Sequence, residues 1–189
     1  PFHSLGILSV VDPEMINSVD FYKGSFTSEF GSRISSVLNV VSKDGNKNRF
    51  GGKVSASFLT AKGLIEGPIP NGSFLISGRK SISEIVLKKF LNDQTVPIDF
   101  YDYSFKVNYS SPDLWHNAKF VLFGFFSVDK LDYDDPAREN INWKSNLIGF
   151  EWLQIYDIPV YSRIAVSLSQ FDGEVIPNLS SIKPTKNVI

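Results

Sequence analysis

The clearest pattern in the chain lies between positions 101 and 109. Tyr101, Tyr103, Phe105, Val107 and Tyr109 alternate there with Asp102, Ser104, Lys106 and Asn108. A period of two sends successive side chains to opposite faces, so this stretch predicts a β-strand with one apolar, aromatic face and one polar face. The same alternation recurs along the chain. Val54, Ala56 and Phe58 alternate with Ser55 and Ser57, and Phe74, Ile76 and Gly78 with Leu75, Ser77 and Arg79. Further on, Ile148, Phe150 and Trp152 alternate with Gly149, Glu151 and Leu153, and Ile164, Val166 and Leu168 with Arg163, Ala165, Ser167 and Ser169. Segment 119–128 is almost continuously apolar. It reads either as a doubly buried strand or as a strand with Phe120, Leu122, Gly124 and Phe126 on one side and Val121, Phe123 and Phe125 on the other. A short strand ending at Leu64, Ile65 and Glu66 brings the expected total to about seven strands. The connections alternate in length: 67–72, 110–114 and 157–159 are short, whereas 80–98 and 129–142 are long.

The first 49 residues read differently. Asp12 and Pro13 mark a short helical start, because the Asp12 carboxylate accepts free N–H groups and Pro13 has none to waste. The segment 18–22 then turns to β character, Gly24 supplies a turn with positive φ, and 27–30 forms one helical turn that Gly31 ends. A second strand follows over 33–41, closed by the turn cluster Lys43, Asp44, Gly45 and Asn46. Within the long connection 80–98, Ser81 and Glu84 have capping-box spacing, and Ile82, Ile85, Val86 and Phe90 share one helical face. Lys88 and Lys89 sit at that helix's C-terminal end, where they oppose its dipole.

Composition narrows the function classes. The 189 residues carry 19 basic and 20 acidic side chains, a net charge of −1, which leaves no basic footprint for nucleic acid. There is no cysteine, so disulfides and thiolate metal sites are excluded. Aromatics make up 14%, with 16 Phe, high for a soluble domain and ordinary for a lipid-facing barrel wall. No apolar run is long enough for a transmembrane helix, which leaves membrane-crossing strands open. His3 and His116 have no ligand-spaced partners, and no nucleophile or phosphate-binding motif is present, so neither an enzyme nor a metal site is expected. Asp132, Asp134, Asp135 and Glu139 read as a solvated acidic loop. The sequence begins at Pro1 and ends in a polar stretch, which reads as a segment of a longer exported protein.

The N-terminal stretch carries a resemblance. Ile16, Val19, Asp20, Tyr22, Lys23, Gly24, Phe30, Gly31, Val37, Leu38, Asn39, Val40, Ser42 and Lys43 follow the order and approximate spacing of the end of the plug domain in TonB-dependent outer-membrane receptors. Segment 33–38 looks like the form found in Bacteroidota-type receptors, with Ser36 where the wider family has glycine. The short and long connections fit the periplasmic turns and external loops of such barrels. The resemblance covers about residues 5–172 and implies a mainly β chain: a fragment of a transmembrane antiparallel β-barrel with the end of a small α/β plug domain. Residues 1–49 would be plug and 50–189 the first barrel strands, incomplete because such barrels close with about 22 strands. It implies a nutrient receptor of a Gram-negative outer membrane, energised by the TonB–ExbB–ExbD complex through a segment outside this sequence. Its partners would be outer-membrane lipid, a small-molecule or oligomeric cargo and a lid lipoprotein. No cofactor is implied. Lys23, Gly24 and Gly31 would shape the plug turn. Arg33 would pair with a barrel carboxylate, Glu66 or Glu151. Tyr103, Phe105, Val107, Tyr109, Ile164, Val166 and Leu168 would face lipid. The alternative is a soluble or surface-attached β-sandwich binding module, in which the Tyr101–Tyr109 aromatic face packs on a second sheet.

Overall fold

The structure is a computed structural model, and it describes residues 2–3, 8–9, 11–24, 35–82, 99–111, 117–133, 139–176 and 185–188. The chain is mainly β and antiparallel, and it divides into a small unit, Val11–Lys43, and a large one, Pro1–Val10 with Asp44–Ile189.

In the small unit, Asp12 caps a single 3-10 turn over Pro13–Met15, accepting the Glu14 N–H on its side chain at 3.0 Å. Ile16 then adopts extended dihedrals, and β3 (Ile16–Tyr22) pairs antiparallel with β4 (Val37–Ser42). The Lys43 N–H closes the unit on the Met15 carbonyl at 2.7 Å. Lys23 and Gly24 follow β3 and are exposed. Gly24 does not take the positive φ expected of it, and a Cβ there would meet nothing. Gly31 and the expected helical turn at 27–30 lie outside the described residues.

The large unit holds a two-residue ladder, β1 (Phe2–His3) with β2 (Leu8–Ser9), and one eight-stranded sheet. The sheet runs β5 (Gly51–Ala56), β6 (Thr60–Ile69), β7 (Gly72–Ser81), β8 (Asp99–Ser111), β9 (Ala118–Leu131), β10 (Asn140–Ile155), β11 (Tyr161–Ile176) and β12 (Thr185–Val188), each beside its neighbour in sequence. Three differences from the sequence reading stand out. The polar 185–188 segment is an eighth strand, paired with Asp172–Val175 of β11. The connection expected over 67–72 shrinks to Pro70–Asn71, because β6 continues through Pro68. That is possible because β5 stops pairing at Glu66, so the missing Pro68 N–H breaks no described ladder. Asn71, at φ 58°, then completes the turn that the fixed φ of Pro70 begins. Finally, Ser81 is the last residue of β7 and not a helix cap: its hydroxyl accepts the Phe100 N–H and donates to Asp99, each at 3.0 Å. Residues 83–98, where the helix was expected, lie outside the described residues.

From β5 to β12 the ladders run in constant register. Constant register carries one face of a strand onto the same face of the next. One face therefore gathers Ile65, Ile76, Tyr103, Phe105, Leu122, Phe126, Ile148, Phe150, Val166 and Leu168; we call it the apolar face. The other, polar-rich face gathers Glu66, Ser73, Ser77, Arg79, Asp102, Lys106, Asn108, Ser127 and Glu151.

Glycines on the apolar face give way to aromatic rings of the next strand. A Cβ on Gly124 would collide with the Phe105 ring, whereas one on Gly63 would meet nothing. Gly124→Val should therefore destabilise the protein by about 1–3 kcal/mol through overpacking, and Gly63→Val, on the same face, should cost much less. Chemical unfolding midpoints of the two variants check this.

Candidate functional site

Three features of the large unit concentrate chemistry. The first is the apolar face itself. Tyr103 is 57% exposed and Leu168 72%, with Tyr101, Tyr109, Ile164 and Val166 also exposed. Phe105 and Val107 are half-buried. Phe105 is covered from within the same sheet, by its seat over Gly124 and its stacking on Phe126 at 6.4 Å. The aromatic row of β8 is thus not a buried core. The apolar stretch has ends. On β10 the same face turns to Asn146, Lys144, Asn142 and Asn140, and on β11 to Gln170, Asp172 and Glu174, all toward the long connections. Toward the short connections it finishes in Tyr109, Phe120 and Trp152, followed by the exposed Tyr156 and Tyr161. Trp143 pairs with Asp129 on the opposite face.

The second feature is an ion pair on the polar-rich face. Arg79 and Asp102 are cross-strand partners on β7 and β8, with side chains 7% and 1% exposed. Arg79 Nε donates to Asp102 Oδ2 at 2.9 Å and Oδ1 at 3.2 Å, and Nη2 reaches Oδ2 at 2.9 Å. This multidentate geometry offsets the desolvation that a buried charge suffers.

The third feature is where the chain enters the sheet. Asp44 Oδ1 meets Lys106 Nζ of β8 at 2.8 Å, and Oδ2 meets Lys119 Nζ of β9 at 2.9 Å. Gly45 lies on the Phe74 carbonyl of β7, so close that a Cβ would collide with it. The Asn46 N–H donates to Glu66 Oε2 of β6 at 3.0 Å. The Asn46 side chain accepts from the N–H groups of Asn48 and Arg49, folding the chain back toward β5. Phe50 then seats over Gly67 beside Phe74. Residues 44–46 thus traverse four strands. The turn residues were legible as a turn, but not as a crossing, since nothing in the local sequence specifies Lys106 and Lys119 as partners.

Of the charged residues singled out from sequence, Glu66 holds Asn46, and Glu151 Oε2 accepts from Arg163 Nη2 at 2.9 Å. Arg33, their expected partner, lies outside the described residues. No cluster of metal-ligating side chains occurs among the described residues. A shallow groove of about 370 Å³ runs along the outer ends of β9–β11, between Lys130, Lys144, Asp172 and Glu174; its mixed charges favour no one ligand class.

Comparison with known protein families, with curated proteins and with solved structures yields no match.

Two outcomes follow from these contacts. Arg79→Met alone leaves the Asp102 carboxylate without its multidentate partner and should cost about 3–5 kcal/mol. Arg79→Met with Asp102→Leu should recover much of that, in a double-mutant cycle of unfolding free energies. For Asp44, burial raises the carboxyl pKa, but hydrogen bonds and charge from Lys106 and Lys119 outweigh it and hold the value below the ordinary 3.8 of a free aspartate. A depressed pKa means the contribution is complete above 3.8 and drains away as pH falls through the lower, folded value. Because the Asp44 side chain is 33% exposed, solvent screening limits the contribution to about 1 kcal/mol or less. Wild type and Asp44→Asn should differ by a constant amount near neutrality and converge in acid, as read from melting curves across pH.

Proposed function

We propose that the eight-stranded sheet is part of the wall of a transmembrane β-barrel, in an outer-membrane receptor of the TonB-dependent class that imports a scarce nutrient. In this reading the Val11–Lys43 unit is the end of the plug, and Tyr103, Phe105, Val107, Tyr109, Ile164, Val166 and Leu168 face lipid. The single observation that supports it most is the bare apolar face, bounded by polar rows at one end and aromatics at the other. Its height is appropriate. From Phe120 to Val128 the face runs about 27 Å along β9 at ~3.4 Å per residue, or about 21 Å of membrane depth at a tilt of ~40°, against about 25 Å for lipid-facing bands. Connections add partial support: β6–β7, β8–β9 and β10–β11 are joined at one end of the sheet by short stretches of sequence and β7–β8 and β9–β10 at the other by longer ones, although the three-residue turn between β5 and β6 also lies at that second end. The polar rows on β10 and β11 stand at the long-connection end, which this reading makes the external side. Among the described residues β5 and β12 each have one hydrogen-bonded neighbour, so a membrane wall needs further strands beyond both. Cargo, the TonB–ExbB–ExbD partner and a lid lipoprotein enter only through the resemblance of 16–43 to a plug end.

Since the chain has no cysteine, a single spin label tests this directly. A label at Val166→Cys in the full-length protein should collide with oxygen dissolved in lipid and be shielded from a water-soluble nickel complex. A label at Ser167→Cys, on the opposite face, should show the reverse preference. Shielding of position 166 from both agents would place it under a second sheet and replace the barrel with the sandwich.

A further inference from the structure

The crossing at residues 44–46 covers two polar side chains that the sheet leaves without hydrogen-bond partners. Asn108 is 1% exposed and Ser73, directly opposite it on β7, is 0% exposed. Among the described residues, neither Asn108 Oδ1, Asn108 Nδ2 nor Ser73 Oγ has a hydrogen-bond partner. Their place in the register explains what covers them. On the polar-rich face Asn108 stands between Lys106, two residues before it on β8, and Lys119, which pairs with Ser110 on β9. Asp44 joins those same two lysines, so its bridge spans the Asn108 position. Gly45, on the Phe74 carbonyl, passes next to Ser73.

Such an arrangement has opposing parts. The charge bridge and the Glu66–Asn46 bond hold the crossing down. Beneath it, buried polar atoms without partners favour water, and water reaches them when the crossing lifts. We propose that residues 44–46 form a strap that opens as a unit, fastened by Asp44 on Lys106 and Lys119, and that its opening wets Ser73 and Asn108. The boundary between the two units falls at Lys43/Asp44, so the strap is the stretch of the large unit that directly follows it in sequence. The close seat of Gly45 suits a removable strap, because a side chain there would prevent closure. This inference goes beyond the receptor reading and does not depend on it, since it concerns only the sheet and the segment entering it.

The test uses a Ser73→Cys reporter in the folded full-length protein and a charged, water-soluble maleimide. Ser127→Cys, buried on the same face but remote from the strap, is the control. With Asp44→Asn added, labelling at position 73 should rise severalfold, up to about fivefold, in proportion to the population of the opened state, while position 127 stays unchanged. An unchanged rate at 73, or an equal rise at both positions, overturns the strap, the latter by showing general loosening. If Asp44→Asn does not accumulate as folded protein, ionic strength applied to the Ser73→Cys protein decides. The partly exposed bridge should weaken with salt and speed labelling at 73 alone, and a flat salt response overturns the proposal.

Discussion

Everything in the large unit depends on the constant cross-strand register from β5 to β12. Side chains alternate with a period of two, so a slip of one residue at any ladder would carry an entire strand's apolar set onto the polar-rich face. Several contacts stand against such a slip. The tight Pro70–Asn71 turn leaves no slack between β6 and β7. Arg79 and Asp102 meet only when β7 and β8 are aligned as they are. The Phe105 ring needs Gly124 beside it, and the Phe123 ring needs Gly149, one contact on each face of the sheet. Misregistered strands would lose an ion pair in a site where either partner alone is costly. The register therefore does more than hold the sheet together; it sorts the chain into two surfaces of different chemistry.

Those two surfaces make opposite demands. The polar-rich face buries charge, and at Arg79 and Asp102 it matches one sign with the other. The apolar face leaves large side chains bare over several adjacent strands. Soluble monomers seldom expose a contiguous apolar area beyond a few hundred Å². The need for a cover follows from that area and not from any single residue. In the proposed reading that cover is lipid, and the polar and aromatic margins of the face would meet the two ends of a membrane-crossing strand.

How much of this was legible in sequence divides along the range of the interactions. The strands and their two faces follow from local alternation, and 101–109 was readable residue by residue. What escaped depends on partners distant in the chain. β12 has no alternation to announce it; the free edge of β11 recruits it through backbone bonds. Pro68 reads as a strand breaker until the short reach of β5 shows that its N–H is not needed. Ser81 has the spacing of a helix cap, yet its hydroxyl serves the β7–β8 ladder end. Arg79 was noticed, but its partner Asp102 appears only once the register is known. Asp44, Gly45 and Asn46 carry strong turn signals, and the sheet uses their compactness for a crossing.

The charge contacts of the polar-rich face differ in kind, and the difference is physical. Arg79 and Asp102 lie in adjacent strands and are nearly inaccessible, so separating them would require parting the ladder between β7 and β8. Asp44 lies on a segment outside any strand, and its carboxylate is partly open to solvent. Water and salt can replace its lysines one at a time without breaking a backbone ladder. Glu151 with Arg163 resembles this second kind, being exposed, but both of its partners belong to strands already paired to each other, so losing it frees nothing. The Asp44 bridge instead joins a segment outside the strands to the sheet, beside the Glu66–Asn46 bond, so its loss bears on a piece of chain that no ladder holds.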